Sequence, residues 1–283
     1  MGGFPTPAPT WNLWFDLRLL LQYPFMVQAF RAGIVVAVLA AVVGWFMVLR
    51  RQSFAGHTLA VVGFPGATAA ALLGASPALG FVATGAAAAA IIARLPAGLA
   101  ARRVSESALI GTVQAVALAL GYLAYSWYGG FASSIESMLF GSFLGITTGQ
   151  VWFLMLLAGP ILLIMAVIGR PLYFASVDPG VAASRGVPVR ALDTVFLLLL
   201  GITAGAVSQI TGALLVFALL VAPPATAQWL TSRPGRSVLL SVLLSTMIML
   251  ASLSLAYFID LPLGTYVTTL ALMTYVAARM WHR

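Results

Sequence analysis

Long apolar runs separated by short polar links dominate the sequence. An α-helix needs about 20 apolar residues to cross the roughly 30 Å hydrocarbon core of a bilayer. The pattern therefore predicts an all-α, polytopic membrane protein with about nine transmembrane helices. The nine runs cover residues 25–49, 54–74, 78–94, 107–126, 149–169, 191–209, 211–230, 237–259 and 264–280.

The composition agrees with this pattern. Hydrophobic residues make up 62% of the 283 residues, and charged residues make up 7%. A soluble domain carries roughly 25% charged residues, so this chain has too few solvated groups to cover its surface in water. Lipid must therefore cover most of that surface.

The arginines predict the orientation in the membrane. The formal net charge is +8, all 14 basic residues are arginines, and they are spread between the apolar runs rather than gathered in one nucleic-acid-binding patch. Because cytoplasmic links carry an excess of basic residues, the N-terminus is predicted outside and the C-terminus inside. The arginines on the predicted inner side are Arg50, Arg51, Arg94, Arg102, Arg103, Arg170, Arg185, Arg190, Arg233, Arg236, Arg279 and Arg283.

The chain divides into a short N-terminal part, 1–24, and a transmembrane domain, 25–283. Residues 1–10 are rich in Pro and Gly and lack the features of a signal peptide. Residues 11–23 combine aromatic and charged residues, which predicts a helix lying in the membrane interface.

Two links are longer than the others. The external link contains residues 131–145, which are predicted to form a short helix that does not cross. The internal segment, 171–190, contains a helix start at Asp178-Pro179, where Asp is the N-cap and Pro the first helical residue. Gly186 is predicted to end this short cytoplasmic helix and Pro188 to stop its continuation.

Few residues in the chain are of types that catalyse reactions or bind metal ions. The chain has no cysteine and no lysine, which excludes disulfides, thiolate metal sites and an ATP-binding P-loop. His57 lies on the second apolar run, either as a neutral side chain bonded to a backbone carbonyl or to Ser53, or as part of a substrate pathway. The pathway or packing candidates are Ser53, one turn before His57, Glu106, at the start of the fourth run, and Gln114, within it.

Four stretches in order resemble the metal-type (zinc, manganese or iron) permeases of bacterial ABC importers, whose architecture is that of the membrane subunit of the vitamin B12 importer. RRQSFAGHTLA, 50–60, is similar to the family pattern R-R-x-x-x-x-G-D-x-L-x-H. LFGS, 139–142, is similar to an external motif of the family. The other two stretches, 177–190 and 211–227, are similar to its cytoplasmic coupling segment and to G-x-L-L-x-x-A-L-L-x-x-P-A-A-T-A.

The resemblance implies a type II importer permease in the bacterial inner membrane. Such a subunit is not an enzyme and binds no cofactor itself. It pairs with a second copy, with two ATP-binding subunits inside and with a metal-binding protein outside, where 131–145 and 261–264 would form the docking face. The residues that the resemblance assigns to ATPase coupling are Asp178, Pro179, Gly180, Arg185, Gly186, Val187 and Pro188.

The chain departs from the family pattern at the two positions that would contact the transported ion. His57 stands at the family's Asp position, and Val61 stands at the position of the His one turn later. A single imidazole suits transient contact with zinc or manganese, and two His57 side chains from paired subunits would favour zinc or a later transition metal. The alternatives are that selection lies wholly in the binding protein, or that the cargo is a metal chelate or an organic nutrient. A secondary transporter or membrane enzyme would need more charged groups within the runs.

Overall fold

The computed structural model describes residues 19–94, 106–128, 139, 141, 145–213, 216–259 and 261–281, and these form helices joined by short links without a strand. Nine long helices and one short helix lie within these ranges. They are α1 (Pro24–Leu49), α2 (Ser53–Leu72), α3 (Pro77–Arg94), α4 (Glu106–Tyr128), α5 (Thr148–Val177), α6 (Pro179–Ser184), α7 (Val189–Thr211), α8 (Val216–Leu230), α9 (Pro234–Phe258) and α10 (Leu263–Trp281).

The predicted fold class is confirmed. Each of the nine apolar runs overlaps one of the long helices. In the part of the chain that the structure describes, six of them are long and apolar enough to cross a membrane: α1, α2, α3, α5, α7 and α9. α8 is apolar but has only 15 residues, which corresponds to about 22 Å at 1.5 Å per residue and is shorter than the hydrocarbon core.

Two predicted boundaries were wrong. The fifth run was predicted to end at residue 169, but α5 continues through Pro171 to Val177. Leu172 and Ala175 are buried in the core, so packing holds the helix beyond a residue that cannot donate a backbone hydrogen bond. The seventh run was predicted to begin at 211, but Gly212 has a positive φ of 81° and separates α7 from α8. A hydropathy pattern does not reveal such a break, because the residues on both sides of it are apolar.

Polar contacts mark the two ends of the helix bundle. At one end, called here the Arg50 end, Arg50 contacts α5 and α7, and Trp45 of α1 donates a 2.8 Å hydrogen bond to Ser237 at the start of α9. At the opposite end, called the Gln28 end, Gln28 near the start of α1 contacts Thr148 at the start of α5. The links after α1, α5 and α8, each with predicted inner arginines, therefore share the Arg50 end.

Glycines bring three helices into backbone contact. A Cβ on Gly85 of α3 would lie 2.5 Å from the carbonyl oxygen of Gly201 on α7, and one on Gly205 would lie 2.6 Å from a carbonyl oxygen of α3. A Cβ on Gly66 of α2 would lie 2.5 Å from the carbonyl oxygen of Gly80 on α3. Small residues permit this approach. We call α2, α3 and α7 the three-helix block.

Two of the sequence stretches that resemble the permease family contact each other. Leu139 is buried in a cluster that includes Ala213. A Cβ on Gly141 would meet the backbone of Ile210 and Thr211 at the end of α7. The predicted tail, 1–10, and the sequence from 129 to 138 lie outside the described residues, as does the predicted interfacial helix except for the helical residues 19–22.

Candidate functional site

His57 lies on the second turn of α2, half-buried between α4 and α8. Its Nε2 atom is 3.3 Å from Nε2 of Gln114 on α4. The ring of Phe217, on α8, packs edge-on against the imidazole with a centroid distance of 5.2 Å. Helices from three different parts of the sequence thus form the walls around this one imidazole.

The carboxamide of Gln114 joins two side chains of α2. The Thr58 hydroxyl donates to Oε1 of Gln114 over 3.2 Å, which leaves the amide nitrogen to donate to His57 Nε2. In this arrangement the imidazole proton resides on Nδ1. The Nδ1 atom is buried and has no hydrogen-bond partner among the described residues. Gln114, a pathway or packing candidate from the sequence, therefore lies beside His57.

The other neighbours suggested by the sequence do not complete this site. Ser53 lies one turn before His57, but the two side chains form no hydrogen bond, so the proposed His57–Ser53 pairing was wrong. Val61, one turn after His57, is fully buried and apolar. α4 begins at Glu106, whose side chain lies outside the described part of the structure.

The described residues contain no group of three or more His, Cys, Asp or Glu side chains arranged to hold a metal ion. The donor atoms gathered here are an imidazole nitrogen, a carboxamide oxygen and a hydroxyl oxygen, all uncharged. Such a set in one chain suits brief contact with an ion rather than tight coordination. Thr58 and Phe217 were missed by the sequence analysis because neither residue type is informative on an apolar helix.

A second candidate region is the α5–α7 link, which we define as residues 178–188. The Oδ1 atom of Asp178 accepts a 2.9 Å hydrogen bond from the backbone N–H of Val181, and so caps α6. Gly186 has a φ of +81°, and no atom lies within 4 Å of a Cβ built on it. The predicted short helix with an Asp start and a Gly end is therefore present.

Most of the α5–α7 link faces away from the protein. The only buried side chain of α6 is Ala182, and Val187 packs against the edge of the core. The exposed residues are Asp178, Pro179, Gly180, Val181, Ala183, Ser184, Arg185, Gly186 and Pro188. A helix this short gains little stability from its own hydrogen bonds, and most of its surface is exposed.

Arg50 was assigned by sequence to membrane orientation and to the first stretch that resembles the family, and the structure adds contacts with two other helices. Arg50 forms an ion pair with Asp193 on the second turn of α7 and donates a 3.0 Å hydrogen bond to the Ser176 hydroxyl at the end of α5. Asp193 is one of only six acidic residues in the chain. That scarcity was the available signal that it pairs with an arginine.

Comparisons with known proteins agree with the fold. The ABC 3 transport family model matches residues 22–282. The manganese transport system membrane protein MntC of Halalkalibacterium halodurans is 30% identical over 262 residues, which are 92% of this chain and 88% of that protein. The chelated iron transport system membrane protein YfeC of Yersinia pestis is 29% identical over 267 residues, 93% of this chain and 89% of that protein.

The solved structure of PsaBC from Streptococcus pneumoniae in complex with Fab contains a chain of the same fold. It superposes with a TM-score of 0.85 and 24% sequence identity, covering 94% of this chain and 95% of that chain. At this level of identity the likeness concerns the fold alone.

Proposed function

The chain belongs to the ABC 3 transport family, whose members are membrane permeases of ABC transporters, and on that premise we propose that it is the transmembrane subunit of an ATP-driven importer of divalent metal ions. The observation that carries the proposal is the family match across residues 22–282. The manganese transport named for its relative in H. halodurans makes manganese the first ion to test and zinc the second.

His57 is the proposed contact of the ion within the membrane. Ionisable side chains in membrane-spanning helices commonly mark substrate pathways. A passing ion would bind the Nε2 lone pair of His57 in place of the Gln114 amide, while Nδ1 keeps its proton. One imidazole with neutral oxygen donors would hold a divalent ion weakly, which suits passage. Two copies of the chain would supply two such imidazoles.

The proposed assembly contains a second copy of this chain, two ATP-hydrolysing subunits and an extracytoplasmic metal-binding protein in a bacterial inner membrane. The ATP-hydrolysing subunits would bind the exposed α5–α7 link. The chain itself performs no covalent chemistry and binds no cofactor. ATP binding in the partner subunits changes the relative free energy of outward-open and inward-open states, and each state exposes the pathway to one side.

A metal chelate is the second candidate cargo. The relative in Y. pestis is named for chelated iron transport. Val61 provides no second ligand beside His57, which is compatible with a cargo whose metal is already coordinated. This candidate predicts uptake that does not depend on the His57 imidazole.

Metal uptake tests the proposal. Cells that lack their own importers would express this chain with its ATP-hydrolysing subunit and binding protein, and cellular manganese, zinc and iron would be measured by elemental analysis. We expect one divalent metal to accumulate, and His57→Ala to reduce its uptake about tenfold, equivalent to about 1.4 kcal/mol of lost stabilisation of the ion in its path.

Ser254→Ala is the matched control. Ser254 lies on α9 and donates only to the carbonyl of Leu250 one turn before it, so its loss should leave uptake unchanged. Equal uptake by wild type and His57→Ala would remove His57 from the pathway. Absence of accumulation of any metal by the complete wild-type system would contradict the metal-import proposal.

A further inference from the structure

Arg50 connects the three helix ends that surround the α5–α7 link. Its Nη2 atom pairs with Asp193, five residues after the link, and its Nη1 atom donates to Ser176, two residues before the link. The Ser176 hydroxyl in turn donates to the carbonyl of Leu172. One guanidinium from α1 therefore holds both stems from which the α5–α7 link projects.

This arrangement is better protected than a surface ion pair. The Arg50 side chain is 9% exposed and that of Asp193 is 40% exposed. The guanidinium also lies over the ring of Phe196, 5.4 Å from its centroid. An arginine offers two directed donors in a rigid plane, so its geometry fixes the positions of both stems rather than only neutralising a charge.

The main chain at Arg50 leads directly to the candidate ion site. Arg50 and Arg51 form the tight turn between α1 and α2, in which Arg51 has a positive φ of 57°. The backbone N–H of Gln52 donates to the carbonyl of Met47 over 3.0 Å and holds the turn closed. His57 follows on the second turn of α2, so displacement of the Arg50 turn displaces the base of the helix that carries His57.

We propose that Arg50 is the positioning residue that transmits movement of the α5–α7 link to α2 and His57. The inference rests on the proposed function, in which the ATP-hydrolysing subunits bind that link. α6 itself buries only Ala182, so a force on it passes through the two stems, and Arg50 joins both stems to the α1–α2 turn. Coupling between such sites corresponds to about 5- to 150-fold effects.

The test measures transport per ATP hydrolysed by purified complexes in liposomes, with the metal-binding protein and the transported metal supplied. The variants are Arg50→Gln, Asp193→Asn and the double variant, beside wild type. We expect each to assemble with its ATP-hydrolysing subunits and to hydrolyse ATP, while metal imported per ATP falls about tenfold. The double variant should be no worse than the poorer single variant, because both remove the same interaction.

Arg51→Asn is the matched control. It removes a neighbouring, exposed positive charge, and asparagine tolerates the left-handed backbone that Arg51 adopts. We expect its metal-to-ATP ratio to equal that of wild type. Asp193→Asn is the milder variant, because the Asp193 side chain is partly exposed, and it keeps the test valid where Arg50→Gln yields too little folded complex.

The outcomes separate this inference from the proposed function. A wild-type complex that imports no metal contradicts the proposed function. A wild-type complex that imports metal, with the same metal-to-ATP ratio in Asp193→Asn and Arg50→Gln, overturns the role of Arg50. An equal fall in the metal-to-ATP ratio of Arg51→Asn overturns the role of Arg50 as well, since the loss would then follow from removal of a positive charge alone.

Discussion

At the scale of single residues, the sequence indicated which side chains matter but not what they touch. His57 stood out because it is an ionisable residue on an apolar helix. Its partner Gln114 is 57 positions away along the chain, and a single sequence contains nothing that pairs them. The Arg50–Asp193 ion pair spans 143 positions, and the scarcity of acidic residues was the only hint of it.

Gly141 offers a prediction at the residue scale. Its φ is +80°, and a Cβ would lie 2.6 Å from the carbonyl carbon of Thr211 and 2.9 Å from the backbone nitrogen of Gly212. We expect Gly141→Ala to lower the thermal stability of the detergent-purified protein, because the clash with backbone adds about 1–3 kcal/mol to a left-handed backbone cost of about 1–2 kcal/mol.

Gly145 is the matched control for that substitution. Its φ is +92°, but no atom lies within 4 Å of a Cβ built on it. Gly145→Ala should therefore lower thermal stability only by the cost of the left-handed backbone. If both variants melt at the same temperature, the contact of Gly141 with the end of α7 contributes nothing to stability.

At the scale of elements, the sequence predicted the helix boundaries that depend on neighbouring residues. The start of α6 at Asp178 and its end before Gly186 follow from capping chemistry within a few residues, and both are present. The continuation of α5 through Pro171 and the break at Gly212 depend on packing against distant helices, so hydropathy along the chain missed them. The presence of nine long helices was predictable because each extended apolar run is a strong signal by itself.

The α5–α7 link gives a prediction at this scale. Gly186→Val places a β-branched residue at a φ of +81°, which costs about 1–2 kcal/mol or more and should shift the end of α6. We expect metal uptake to fall several-fold while membrane insertion and pairing of two copies remain intact. Uptake and the amount of complex recovered by affinity purification would be measured together.

Gly74→Val is the control for the link. Gly74 has a φ of +71° and no atom within 4 Å of a built Cβ, so the local strain is the same, but it lies between α2 and α3, away from the proposed ATPase-binding surface. Uptake by Gly186→Val that matches wild type would count against the docking of a partner on the α5–α7 link.

At the scale of the whole molecule, the two ends of the bundle acquire an orientation from the arginines. The structure places several helix ends together at the Arg50 end, and the positive-inside rule assigns that end to the cytoplasm. The pattern of charges gave this orientation without any knowledge of packing, because the rule counts residues in links and ignores how helices contact each other.

Cysteine labelling tests this orientation. The chain has no natural cysteine, so a single introduced one reports its position without background. Leu73, which is 85% exposed in the α2–α3 link, and Ser232, exposed in the α8–α9 link, are predicted on opposite sides. In intact spheroplasts we expect a membrane-impermeant maleimide to label Leu73→Cys and not Ser232→Cys. The reverse result would invert the topology.

The backbone contacts of the three-helix block restrict how the protein is able to move. Helices in contact at carbonyl oxygens, as Gly85 and Gly201 are, cannot slide lengthwise without colliding, so α2, α3 and α7 behave as one rigid body. His57 is fixed to that body, whereas Phe217 belongs to α8. We therefore expect movement that reaches the block through Arg50 to displace the imidazole relative to the Phe217 ring of α8, so that the protein alternates between states by shifting the binding group along a separate wall.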